Sequence, residues 1–171
     1  MWAEENVKNY GGDKENIHVC GDSSGGNFAA AVAAMSADRN GPGIRSQNLV
    51  YPLVTNWEEE KKDPLASPLL KEDIGRMPRT CIIAAECDPL VDQGLMYAAK
   101  LQDAGVEVEY HMMKGMIHGF LNWTYRSSFE AMDRIIENVN IIWEKTKQPS
   151  CRAVFVMRKK RNFFVNNMVV N

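Results

Sequence analysis

A chain of 171 residues suits a single domain. Its 45% hydrophobic and 25% charged residues match globular composition and exclude wholesale disorder. No run reaches the roughly 20 apolar residues that a membrane-spanning helix needs.

The N-terminal Met1-Trp2-Ala3-Glu4-Glu5 lacks the basic and apolar regions of a secretory signal, which makes the cytoplasm the default expectation. Ile17-His18-Val19-Cys20 is the first predicted strand, and the alanine-rich Ser24–Arg39 after it predicts a buried helix. Asn40-Gly41-Pro42-Gly43 ends that helix. Asn48-Leu49-Val50-Tyr51 is the second strand, stopped by Pro52, and Leu53–Leu70 reads as a surface loop carrying the charged run Glu58–Lys62. Thr80–Ala85 is the third strand and the most continuously apolar, followed by a helical pattern over Pro89–Ala104. Val106–Met112 alternates, with Val106, Val108, Tyr110 and Met112 on one side and Glu107, Glu109 and His111 on the other. Ser127–Lys147 closes the body with apolar residues near a 3.6 period. Strands alternating with helices predict an α/β fold: about four parallel strands, in sequential order, flanked by helices.

Between the first strand and its helix lies Gly21-Asp22-Ser23-Ser24-Gly25-Gly26-Asn27, which fits G-x-S-x-G with Ser23 central. A serine at the apex of such a turn projects its hydroxyl beyond the sheet edge. Gly21 and Gly25 are expected to remove side chains that would collide inside the turn, with Gly26 completing the run. The Ser24 N–H, at the helix start, could donate to a developing oxyanion. Choosing Ser24 as nucleophile would put Asp22 where the first glycine belongs. The plainer alternative is a glycine-rich helix start with serine caps.

A serine nucleophile needs a base. His18 lies in an apolar strand and reads as a packed residue, and His111 reads as solvated on the charged side of its strand. His118, in the glycine-flanked Lys114–Phe120 segment beyond the fourth strand, sits where ligands gather in open α/β sheets. Asp88 follows the third strand and could orient that histidine, although Asp-Pro is also a routine helix start. Glu86 and Asp92 are nearby competitors. Ser23, Asp88 and His118 occur in the order Ser…Asp…His known for this elbow type.

Gly21–Asn27, Asp88-Pro89-Leu90 with Asp92, and His118-Gly119-Phe120 together resemble the motif blocks of the hormone-sensitive-lipase-like α/β-hydrolases, which include carboxylesterases and arylacetamide-deacetylase-like enzymes. The resemblance runs from about Trp2 to about Lys147 and implies roughly the C-terminal half of an α/β-hydrolase fold. It implies Ser23 as nucleophile, His118 as general base and acid, and Asp88 as its orienting acid. It further implies hydrolysis of small-molecule carboxylic esters through an acyl-enzyme, with no cofactor and no metal. The family's His-Gly-Gly oxyanion motif and its early strands would lie before the elbow and are not in this sequence. The resemblance therefore implies a truncated chain of low activity by itself, with an open sheet edge that could pair with a second copy. A serine peptidase of related fold and a non-catalytic interaction module are the alternatives.

Four cysteines (Cys20, Cys81, Cys87, Cys151) show no C-x-x-C spacing and read as reduced thiols, so neither a zinc site nor a disulfide framework is expected. Residues 1–151 hold 15 basic and 22 acidic residues, a balance of −7. The remaining twenty hold Arg152, Arg158, Lys159, Lys160 and Arg161 and no acid. The chain thus divides into a body, 1–147, and a basic, apolar tail, 148–171. The tail resembles aggregation-prone strands separated by basic gatekeepers, and is expected to be poorly ordered and remote from the active site. The four-residue run Arg158-Lys159-Lys160-Arg161 in an otherwise acidic protein does not argue for a nucleic-acid partner.

Overall fold

The computed structural model describes the backbone of residues 2–55, 63–146, 155–159 and 162–166, and side chains as far as residue 140. In chain order come α1 (Trp2–Asn6), β1 (Ile17–Asp22), α2 (Ser24–Asp38), β2 (Ile44–Val50), β3 (Arg79–Cys87), α3 (Val91–Asp103), β4 (Val108–Ile117) and α4 (Arg126–Thr146). A final pair, β5 (Phe155–Lys159) and β6 (Asn162–Asn166), completes the described elements.

Strands β1 to β4 form one parallel sheet in sequential order, the α/β arrangement expected. On one face, Ala30, Ala33 and Ala34 of α2 and Tyr97 and Leu101 of α3 pack on Leu49 and Ile82. The alanines have little bulk, so α2 can approach the sheet closely. On the other face Ala131 and Ile135 of α4 pack on Val50, Cys81, Ile83 and Ala85. Burial on both faces explains the near-continuous apolar run of β3.

Three elements depart from expectation. Strand β2 begins at Ile44, four residues earlier than predicted, and its polar start is buried: Ser46, Gln47 and Asn48 are fully enclosed. Each side chain makes at least one bond, Gln47 by donating from Nε2 to Thr80 Oγ1 at 2.9 Å. His18 Nδ1 bonds Ser46 Oγ at 2.7 Å, Asn48 Nδ2 donates to Ser46 Oγ, and Asn138 Nδ2 donates to Asn48 Oδ1 at 2.8 Å. Arg79 Nε donates to Asn138 Oδ1, and the same guanidinium pairs with Glu107 and Glu109. This ladder crosses the sheet beneath α4 on hydrogen bonds that periodicity cannot show. Strand β4 starts at Val108 and runs to Ile117, so most of the predicted Lys114–Phe120 loop is strand. In the predicted surface loop, Val54, Thr55, Ser67 and Leu69 are buried, while residues 56–62, including the Glu58–Lys62 run, lie outside the described residues.

The tail is described in part. Its β5 and β6 pair antiparallel, with Val156 opposite Val165, and β5 comes within 8 Å of β1 between Cα atoms. Residues 147–154, including Cys151, and 160–161 and 167–171 lie outside the described residues. In the main sheet β1 pairs with β2 alone.

His18 was expected to be a packed strand residue, and it is 3% exposed, with Nε2 bonded to Asn16 Oδ1. Burial, aided by the Arg45 charge, pushes its pKa down from 6.5 to about 4. The unfolded chain therefore binds a proton at higher pH than the folded one. The stability from a neutral His18 is present above about pH 6.5 and is lost as pH falls toward 4, about 3 kcal/mol in all. Urea midpoints at pH 7 and 4.5 should differ less in His18→Gln than in the parent protein. An equal loss in both would show that other groups drive acid unfolding.

Candidate active site

The G-x-S-x-G turn joins β1 to α2 through Ser23, whose φ of 54° and ψ of −120° are rare for a side-chain-bearing residue. Backbone bonds hold it there. Ser23 N–H donates to Val50 O at 2.9 Å, and Ser23 O accepts from Gly26, Asn27 and Leu53 N–H groups. A Cβ on Gly21 would stand 2.1 Å from the Gly25 carbonyl oxygen, and one on Gly26 would stand 2.8 Å from Pro52 Cβ. One expectation needs correction. A Cβ on Gly25 would meet nothing closer than Asp22 Oδ1 at 3.8 Å, so the crowding lies at Gly21 and Gly26.

Ser23 makes no side-chain cap to α2, which removes the serine-cap reading of this turn. Its Oγ–H instead donates to His118 Nε2 at 2.8 Å. His118 Nδ1–H donates to Asp88 Oδ2 at 2.6 Å, and the Asp88 side chain has no solvent exposure. The three residues come from the ends of three different strands, β1, β3 and β4. Asp88 is not the cap of α3, where Leu90 stands; its Oδ1 accepts the Leu90 N–H at 2.8 Å, tying the carboxylate into the turn. Of the competing acids, Glu86 accepts the Gly115 N–H at 2.7 Å, where Gly115 turns β4 through φ +70°. Asp92 lies in the first turn of α3. Ser24 is the first residue of α2, and helix geometry leaves its N–H without an intrahelical partner, next to Ser23.

Several residues that motif reading passed over position this site. Asn27 Nδ2 donates to Leu53 O and Ala66 O, and Gln93 Oε1 accepts from Val54 and Thr55 N–H groups, fastening the segment after β2. The Tyr51 ring lies 4.8 Å from the His118 ring, and Phe120 lies 5.4 Å behind it. Asn27 could have been suspected, since it ends the elbow motif. Nothing in the local pattern singled out Gln93 or Tyr51.

An apolar groove of about 740 Å³ begins at the elbow and follows β1 between Phe28 and Val32 of α2 and Phe129 and Met132 of α4. Phe28 and Phe129 are 59% and 63% exposed. Among the described residues, one set of metal-ligating side chains converges: Cys81, Glu109 and His111 bring their donor atoms within 4.8 Å. Glu109 is already paired with Arg79, and burial pushes the Cys81 thiol up to about 12, opposing the thiolate a metal would need. His111, expected to be solvated, is partly buried against Glu109.

Crowding at the elbow separates neighbouring glycines by experiment. Gly21→Ala should cost at least about 3 kcal/mol or prevent folding, because the colliding atoms are backbone. Gly25→Ala should be neutral or up to about 1 kcal/mol stabilising, through helix propensity. Urea unfolding of both variants checks this; equal losses would refute it.

A family model described as alpha/beta hydrolase fold matches residues 1–62 and 53–122. An arylesterase of Saccharolobus solfataricus is 30% identical over an alignment of 152 positions, covering 71% of this chain and 49% of the relative. Carboxylesterase NlhH of Mycobacterium tuberculosis is 32% identical over 155 positions, with the same coverages. Among solved structures, an esterase of Pyrobaculum calidifontis superposes with a TM-score of 0.76 at 29% identity, covering 83% of this chain and 57% of that one. The chain spans about half the length of the curated relatives it matches. Sequence match, sheet order and superposition agree: the chain belongs to the α/β-hydrolase fold family, in its hormone-sensitive-lipase-like, carboxylesterase-related branch.

Proposed function

We propose that this chain carries the catalytic triad of a serine carboxylic-ester hydrolase, with Ser23 as nucleophile, His118 as general base and acid, and Asp88 as orienting acid. The single observation behind this reading is the unbroken relay from Asp88 Oδ2 through His118 to Ser23 Oγ, at 2.6 and 2.8 Å. As Ser23 Oγ attacks an ester carbonyl, His118 Nε2 takes the hydroxyl proton. The carbonyl π electrons move onto oxygen, and the resulting oxyanion meets the Ser24 N–H at the positive end of α2. Collapse breaks the bond to the alkoxy oxygen, which leaves as alcohol with the proton from His118. Water, deprotonated by the same nitrogen, then releases a carboxylic acid and restores Ser23. Asp88 holds Nδ1 protonated, so that Nε2 presents its lone pair, and it stabilises the transient imidazolium. The names of the similar esterases favour small-molecule esters over peptides as substrates.

The family's His-Gly-Gly segment is not in this sequence, and one missing oxyanion donor costs on the order of 10²–10³ in rate. Turnover of short-chain aryl esters by this chain alone is therefore expected to be slow. A second reading, an interaction module that pairs through the outer edge of β1, is favoured by the apolar groove along that strand.

A fluorophosphonate probe, which needs an activated serine but no turnover, separates the readings. Labelling of the folded chain should be lost in Ser23→Ala and fall on the order of 10³–10⁴ in rate in Asp88→Asn. Absence of labelling in the folded parent chain would favour the module. Persistence in Ser23→Ala would remove Ser23 from the mechanism.

A further inference from the structure

We propose that Tyr51 is a positioning residue for His118: its ring is a rigid wall that fixes the tilt of the imidazole, and its hydroxyl is dispensable for this. The inference rests on the triad reading above and deepens it.

Tyr51 follows the last residue of β2 with φ +34°, a conformation costly for an aromatic residue, on the order of 1–3 kcal/mol. Strain of this kind persists only where surrounding structure imposes it, and here it does. Tyr51 N–H donates to Ile83 O at 2.6 Å, tying the turn to β3. Two residues on, Leu53 N–H donates to Ser23 O, tying it to the elbow. The strain changes which face the ring occupies. Alternation along β2 puts Leu49 in the core beneath α2 and α3 and Val50 in the core beneath α4, so residue 51 should return to the first. It joins Val50 in the second, on the His118 side.

The placement meets a need the hydrogen bonds leave open. Contacts at Nδ1 and Nε2 lie in the plane of the imidazole and restrain its tilt about the line between them only weakly. The Tyr51 ring, 4.8 Å away at 56°, supplies the missing out-of-plane restraint. Phe120, with no solvent exposure, backs that ring edge-on at 5.4 Å and 69°. The hydroxyl does less. It donates to Asp22 Oδ2 at 3.4 Å, the long limit of a hydrogen bond, with the Leu121 N–H beside its oxygen, and Tyr51 is 2% exposed, so the phenol has little freedom. Burial, with the Asp22 charge behind it, drives the phenol pKa upward and keeps the ring neutral.

The test uses proton and nitrogen NMR of the full chain with Tyr51→Phe and Tyr51→Met, alongside the fluorophosphonate labelling rate. In the parent protein, dipolar contacts between the Tyr51 and His118 ring protons and a downfield Nδ1–H resonance are expected. Tyr51→Phe should keep that resonance and label within about twofold of the parent. Tyr51→Met, which retains bulk without a ring, should broaden or lose the resonance and label about 10–100-fold more slowly, with its far-ultraviolet spectrum unchanged. Survival of both signals in Tyr51→Met would overturn the proposal, as would an equal fall in Tyr51→Phe. Should Tyr51→Met not fold, the parent protein still decides, because missing ring-to-ring contacts overturn the proposal. If the folded parent does not label, the triad reading fails separately, and the resonance alone judges the role of Tyr51.

Discussion

The approach of Gly21 to the Gly25 carbonyl is the constraint on which the C-terminal end of the sheet depends. A single methyl group there would lie 2.1 Å from a backbone oxygen that has nowhere to go. Without it, α2 can start one residue after the apex serine and still lie flat on the sheet. Gly26 repeats the device against Pro52, so the chain leaving β2 also passes close beneath the helix start. Two absent side chains thus bring β1, α2 and the exit of β2 into one tight junction.

That junction stores strain and uses it. Ser23 and Tyr51 both carry side chains at positive φ, and each ends one of two adjacent parallel strands. Each is held by backbone bonds to the neighbouring strand: Ser23 N–H to Val50 O, and Tyr51 N–H to Ile83 O. The ladder therefore continues one residue past each strand in a conformation that neither would adopt alone. On β4, Gly115 and the Glu86 carboxylate bend the strand end, and His118 arrives between the carboxylate and the serine. The chemistry of the site follows from where three strands stop.

Beneath α4 the sheet is built on a different principle. His18, Ser46, Asn48, Asn138 and Arg79 form a buried polar ladder from β1 to Glu109 of β4. Such a ladder adds little net stability while every member is paired, but removing one member strands its neighbours at a cost of about 1–3 kcal/mol. It also fixes register, since a slip would leave each of these groups without a partner. The outer edge of β1 contrasts with this closely matched interior, its groove lined by Phe28 and Phe129, in a chain about half the length of its relatives.

The sequence by itself determined the α/β class, the sequential parallel order and the elbow. Those properties rest on local signals: apolar runs bounded by turns, an alanine-rich helix, and glycines at fixed offsets from a serine. It also supplied the residues that converge, because Ser23, Asp88 and His118 each follow a strand, and parallel strands carry such residues to one edge. Only the tertiary structure decided what holds them there. The start of β2 was illegible because Ser46, Gln47 and Asn48 are polar, and their burial depends on partners up to 90 residues away in the chain. The length of β4, the bond from Glu86 to Gly115 and the flip of Tyr51 onto the His118 side were hidden for the same reason. A periodic pattern records which face a residue prefers to bury, whereas these residues obey hydrogen bonds and strain imposed from other strands.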